Sequence, residues 1–238
     1  MATQDVKVSG FDTVVQTFVV NHAAHSAIIN HAIRTIAALY LFKGLMLIAA
    51  LWWIWFTPGE RREWAREMVV VTIASGFIAL MTGRLLAHAL PFRERPIYDT
   101  TLHLDFPAVG LGDSVMRTWS SFPSDHAMLW FAIATGIFLV WRGIGTLALI
   151  YTAVFICAPR VYLGLHYPTD VIAGAVIGIV ITCVLTRDVV RTRIARPILY
   201  GVERFPGPGY MLAFLLSYEL ITQFDELMQL WHSAAKVL

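Results

Sequence analysis

Three separated stretches of the chain carry side chains able to do chemistry together: HALPFRERP from His88 to Pro96, FPSDH from Phe122 to His126, and RVYLGLHYPTD from Arg160 to Asp170. Together they supply arginines, a hydroxyl, two histidines and a carboxylate. That inventory suits phosphoryl transfer through a covalent histidine. The transferring group carries its charge on equatorial oxygens that need fixed cationic donors, one imidazole attacks, and one acid protonates the leaving oxygen. In LHYPTD, Pro168 suits the first position of a helix, which puts Asp170 in its first turn and His166 just outside it. A carboxylate so placed can reach back to an imidazole N–H, in the manner of a capping box, fixing the tautomer and leaving the other nitrogen to attack. Ser124 has the character of a helix N-cap, and the unpaired N–H groups that follow such a residue attract an anion.

The elements that must hold these stretches are apolar helices. The chain has 238 residues, of which 58% are hydrophobic and 14% charged, and the apolar residues gather into blocks too long for ordinary core helices. The spacing predicts spans over Ile36–Phe56, Met68–Leu90, Ala127–Trp141, Ile144–Ala158 and Val171–Leu185, the third and fourth being short. A sixth candidate, Tyr210–Leu230, carries Glu219, Asp225 and Glu226, which are costly at mid-membrane. Ahead of the first span, Phe11, Val14, Val15, Phe18 and Val19 repeat at helical spacing, which fits a helix in the membrane interface. The expected architecture is an all-α polytopic bundle of five to six spans. Residues 1–35 form an N-terminal interfacial segment and residues 36–238 a single membrane domain.

Charge distribution gives orientation. A formal net charge of +2, dispersed along the chain, offers no footprint for nucleic acid. Arg61, Arg62, Arg66, Arg142, Arg187, Arg191, Arg193 and Arg196 follow alternate spans and mark the cytoplasmic side, so the three reactive stretches face outward. Arg93, Arg95, Arg117 and Arg160 oppose that assignment unless otherwise employed; Arg93 and Arg117 suit solvated loop charges or lipid-headgroup contacts. The N-terminus shows no removable signal peptide. Cys157 and Cys183 fall near opposite faces of the bilayer and suit packing rather than a bridge. Lys43 inside the first span suits either function or snorkelling. The remaining histidines lack metal-ligand spacing. Gly174 and Gly178 form a small-xxx-small pair suited to helix packing within the monomer.

The three stretches resemble the signature of the type 2 phosphatidic acid phosphatase superfamily: Lys, six residues, Arg-Pro; then Pro-Ser-Gly-His; then Ser-Arg, five residues, His, three residues, Asp. The matching residues are Arg95 and Pro96; Pro123, Ser124 and His126; and Arg160, His166 and Asp170, in the family's order. The resemblance implies His166 as nucleophile, Asp170 as its orienting partner and His126 as the acid. It gives phosphate binding to Arg95, Ser124, Arg160 and the backbone at Asp125, and it implies neither metal nor cofactor.

The chain departs from that pattern at three places. Asp125 replaces Gly, a variant that resembles bacterial polyprenyl diphosphate phosphatases; its added charge could select a protonation state or hold Arg93. Pro159 replaces the Ser before Arg160. His88 stands where the Lys belongs, and Arg84, one turn earlier on the same helical face, is the candidate substitute cation. The resemblance implies a phosphatase of the bacterial plasma membrane with its site open to the outer leaflet. The expected substrate is a polyprenyl diphosphate such as undecaprenyl diphosphate. Phosphatidylglycerophosphate, phosphatidic acid or lipid A phosphate is the runner-up, and an anionic-lipid transporter is the rival from another class.

Overall fold

The computed structural model describes residues 9–23, 26–107 and 117–224. Helices α1 (Gly10–Ala23) and α2 (Ala27–Ala38) lead through a π-turn at Leu41–Leu45 into α3 (Met46–Phe56). Then follow α4 (Arg62–Ala89), an irregular strap holding one 3₁₀ turn (Thr100–Leu102), and α5 (Asp125–Val140). Four more helices complete the described chain: α6 (Arg142–Tyr162), α7 (Pro168–Leu185), α8 (Asp188–Arg204) and α9 (Pro206–Thr222).

Helix α5 is the axis of the bundle. Met128, Leu129, Trp130, Ala132, Ile133 and Ile137 are all wholly buried, enclosed by α4, α6 and α7. Close approach is secured by glycines. A Cβ at Gly174 would lie 2.5 Å from the Ser124 carbonyl oxygen, and one at Gly178 would overlap the Met128 carbonyl, so the small pair on α7 lets its backbone rest on that of α5. Gly44, in the π-turn, lies against the Trp130 ring with no room for a side chain. This packing brings together the C-terminal ends of α4 and α6, the N-terminal ends of α5 and α7, and the strap.

Among the described residues, three helices, α4, α6 and α7, are long and apolar enough to cross a membrane, or four spans if α2 and Leu41–Phe56, bent by 54°, count as one. The protein is therefore an integral membrane protein. The expected spans differ in their limits. The second begins at Arg62 because a charged helical turn continues it beyond the apolar block. The fourth extends to Tyr162 through a π-turn at Thr152–Cys157. The third has only 16 residues, and the first is broken at Leu39–Tyr40. Of the sixth candidate, α9 accounts for the part up to Thr222; residues 225–230 lie outside the described residues.

Helix α8 was absent from the expected elements because its arginines conceal an amphipathic repeat. Ala195 and Leu199 are buried, and Arg191 reaches Glu67 of α4 at 2.9 Å in a nearly dry ion pair. Helix α1 is amphipathic in an unusual sense: Asp12, Gln16 and Val20 are buried, whereas Phe11, Val14 and Phe18 face outward. Cys157 is buried and Cys183 is exposed on the outer face of α7, and both are free thiols.

Gly178→Val tests the crossing of α5 and α7. The added methyls meet backbone atoms that cannot yield, so overpacking should cost about 1–3 kcal/mol and lower the Tm of the detergent-solubilised protein by several degrees. An unaltered Tm contradicts this contact.

Candidate active site

Two helix starts build the centre. Ser124 caps α5, its Oγ accepting from the Ala127 N–H at 3.5 Å, and its own N–H donates to the Asp170 carbonyl in the first turn of α7 at 3.1 Å. Pro168 opens α7, and the Asp170 carboxylate turns back to accept the Tyr167 N–H at 2.8 Å. The same carboxylate accepts from the Ser121 hydroxyl and from the Arg93 guanidinium. A carboxylate with so many donors is held in one rotamer and is fully buried.

His166 sits beside it, 3% exposed. Its Nδ1 lies 2.9 Å from the Ser121 carbonyl oxygen and 3.9 Å from Asp170 Oδ2. A carbonyl only accepts, so Nδ1 carries the proton and the lone pair stands on Nε2. The expected direct hydrogen bond from His166 to Asp170 is thus corrected: the Ser121 carbonyl sets the tautomer, while the carboxylate supplies negative charge one step further away. Burial pushes the His166 pKa below its ordinary value; Asp170 and Asp125 oppose that shift and Arg95 adds to it. His166 is accordingly neutral, and nucleophilic, at neutral pH.

His126 points its Nδ1 at Asp125 Oδ1, 2.9 Å away, and the same oxygen accepts the His126 backbone N–H at 2.7 Å. Asp125 is therefore, through its carboxylate, the partner of His126. Its carboxylate occupies an amide that an anion would otherwise use, and it makes no bond to Arg93. The carboxylate on Nδ1 fixes the ring and leaves Nε2 as the nitrogen able to exchange a proton with a ligand.

Arg95 and Arg160 bring positive charge to the two histidines, Arg95 acting on His166 and Arg160 on His126. Arg95 donates from Nη1 to the Leu165 carbonyl at 3.0 Å, and its buried Nε has no hydrogen-bond partner among the described residues. Its pKa is lowered by burial, against the pull of Asp125 and Asp170. Arg160 is 8% exposed, with its carbonyl turned to the amides of Leu165 and His166, so the loop carrying the nucleophile folds over it. Arg84 is otherwise engaged: Nη2 donates to the Gln223 carbonyl at 2.6 Å, closing the end of α9. His88 stacks edge-on against Trp119. These are the contacts of the two candidates for the place of the motif's Lys, and the buried Nε of Arg84, like that of Arg95, has no hydrogen-bond partner among the described residues.

The sequence reading passed over several residues. Arg93, taken as a loop charge, is buried, stacks on the Tyr167 ring at 4.1 Å and bonds Asp12, Thr169 and Asp170. Ser121 acts on Asp170 through its hydroxyl and on His166 through its backbone carbonyl, and the second contact is one that no residue type reveals. Tyr167 donates its hydroxyl to Asp99 at 2.8 Å, tying the strap to the start of α7. Asp12 and Gln16 come from α1, which lay outside the compared motifs. The signal available for them was their i, i+4 spacing opposite an apolar face.

Comparison with known proteins decides the family. The PAP2 superfamily model matches residues 64–194, more than half of the chain. This protein belongs to the PAP2 superfamily. It is 30% identical over 149 residues, 60% of this chain and 67% of the relative, to YbjG of Escherichia coli (strain K12), whose name carries a provisional assignment as an undecaprenyl-diphosphatase. It is 28% identical over 140 residues, 59% of this chain and 62% of the relative, to the bacitracin transport permease protein BcrC of Bacillus licheniformis. The crystal structure of Aquifex aeolicus LpxE shares the fold, with a TM-score of 0.52 at 21% identity over 76% of this chain and 98% of that one. As a PAP2 protein with membrane-crossing helices, the chain is a membrane lipid phosphatase.

Two outcomes follow from this geometry. Arg95→Ala should lower kcat/KM by about 10²–10³-fold, as loss of a donor to a transferring oxyanion does, whereas Arg84→Ala should stay within about threefold of wild type, well below the effect of losing such a donor. Equal losses in the two variants would return Arg84 to the phosphate site. Because His166 titrates below its ordinary value, its protonation requires more acid than free imidazole does. The acid limb of kcat/KM should therefore lie below pH 6.5, and a limb above that value contradicts the buried, neutral nucleophile.

Proposed function

We propose that this phosphatase removes the terminal phosphate of a polyprenyl diphosphate, undecaprenyl diphosphate being the favoured substrate, through a phosphohistidine at the outer face of a bacterial plasma membrane. The reading rests first on one observation: the Ser121 carbonyl holds the proton on Nδ1 of His166 and leaves Nε2 with its lone pair. In the first step Nε2 attacks the terminal phosphorus as the bond to the bridging oxygen breaks. His126 gives that oxygen a proton, and polyprenyl phosphate leaves. In the second step water attacks phosphorus, His126 takes its proton, the P–N bond breaks, and inorganic phosphate is released with His166 restored. Arg95 and Arg160 would hold the equatorial oxygens throughout, aided by the capped start of α5.

The substrate reading draws on Asp125 within PSDH and on the likeness to YbjG. The outward orientation draws on the arginines. Arg61, Arg62, Arg142, Arg187 and Arg193 lie at the opposite end of the bundle from the site, and the site-end arginines that opposed the assignment have structural employment: Arg93 and Arg95 in hydrogen bonds, Arg117 over the Tyr98 ring. The BcrC relative is named for transport, which keeps an anionic-lipid carrier as the second reading.

Phosphate release by the purified protein, over a panel of polyprenyl diphosphates, phosphatidylglycerophosphate, phosphatidic acid and lipid A phosphate, separates these readings. Undecaprenyl diphosphate should give the highest kcat/KM, acid-labile label from a ³²P-substrate should appear on His166, and His166→Ala should abolish both. A faster glycerophospholipid reassigns the substrate; binding without release from any lipid favours the carrier. EDTA should leave the chemical step intact, and loss of turnover restored by a divalent ion would refute the metal-independent histidine route.

A further inference from the structure

Helix α1 turns its polar residues toward the protein and its apolar residues away from it. Asp12 and Gln16 are wholly buried, while Phe11, Val14 and Phe18 are more than half exposed. A helix arranged this way is stable where its outer face meets lipid and its inner face meets polar partners. Those partners are the groups immediately behind the catalytic pair. Asp12 Oδ2 accepts from Arg93 Nη2 at 2.7 Å and from Thr169 Oγ1 at 2.7 Å, and Oδ1 accepts the Thr169 N–H at 3.0 Å. Gln16 Nε2 donates to the His166 carbonyl at 3.1 Å. The other amine of the same Arg93, Nη1, serves Asp170.

The cluster Asp12, Arg93 and Asp170 holds two carboxylates and one guanidinium, and hence one net negative charge. Burying a second carboxylate is costly when Arg93 and Asp170 alone would already be neutral. The extra charge reaches His166 through Arg93 and Asp170, where it stabilises the positive charge that the ring acquires as Nε2 bonds to phosphorus. Resting on the phosphatase reading above, we infer that Asp12 is a positioning residue for catalysis. It fixes Arg93, and through it the rotamer and net charge of the Asp170 cluster, so that the N-terminal helix is a lipid-held part of the phosphoryl-transfer site. Asp12 acts through Arg93 and touches no reacting atom.

The test compares wild type with Asp12→Asn and Asp12→Ala in liposomes, measuring phosphate release from the lipid panel. Asparagine keeps the shape and a side-chain oxygen for the Thr169 N–H, so it retains α1 while removing the charge. The expected result is a kcat about 10–100-fold lower with KM within twofold and Tm close to wild type. The titratable and charged groups facing His166 are Asp170 on α7, Asp125 and His126 on α5 and Arg95 on the strap. With these unaltered, loss of one negative charge should move the acid limb of the pH profile to lower pH. Wild-type kcat and an unmoved acid limb in Asp12→Asn overturn the inference, as does a loss confined to Tm. Wild type releasing no phosphate from any lipid instead removes the phosphatase reading and this inference with it, which distinguishes the two failures.

Discussion

The structure depends on the carboxylate of Asp170 being fully paired away from water. Its two oxygens receive the Tyr167 amide, the Ser121 hydroxyl and Arg93, and its backbone carbonyl receives the Ser124 amide. One residue thereby joins the start of α7, the segment before α5, the strap after α4 and, through Arg93, the N-terminal helix. A carboxylate in so dry a place is tolerable only with donors on every side. The fold around it is what keeps those donors in place. Removing any one of them leaves a buried charge underpaired, so the local architecture and the chemistry share a single requirement.

Charge is divided among the buried groups by function. Asp125 is given to His126, Asp12 and Asp170 to Arg93, and Ser121 offers His166 an uncharged carbonyl. Arg95 then has a buried Nε without a partner in the described residues, and Arg160 lies beneath the loop that carries the nucleophile. The division separates the two imidazoles chemically. One is backed by a neutral acceptor that fixes its proton on Nδ1, and the other by a carboxylate that fixes the orientation of its ring.

Much of this was legible in residue order. Ser124 as a cap, Pro168 at a first helical position, the Gly174 and Gly178 packing pair and the meeting of three distant stretches all follow from local rules, and the structure has each of them. What escaped did so for identifiable reasons. The Ser121 contribution to His166 is made by a backbone oxygen. Arg84 was assigned by helical phase alone, yet its long side chain reaches along the helix to Gln223 instead. Arg93 has the composition of a loop charge, and only the carboxylate delivered by α1 from 81 positions away identifies it as buried. Helix α8 was hidden because a stripe of apolar residues among arginines has low average hydropathy. Windowed averages detect lipid-facing helices well and interfacial ones poorly.

Helix α5 is 16 residues long, about 24 Å at the usual rise, whereas the hydrocarbon slab is about 30 Å thick. It is enclosed by longer helices, so its termini do not both reach the surface. At the far terminus Trp141, edge-on to Trp53, is the kind of side chain that settles at headgroup level, which leaves the shortfall at the end bearing Ser124 and His126. With Trp141 at that level, the reactive floor would lie about 6 Å inside the edge of the hydrocarbon. A phosphate must descend to it, and the chain attached to that phosphate never has to leave the oil. Tail length is consequently of little concern to such a centre, whose discrimination falls on whatever lies between the anchor and the phosphorus.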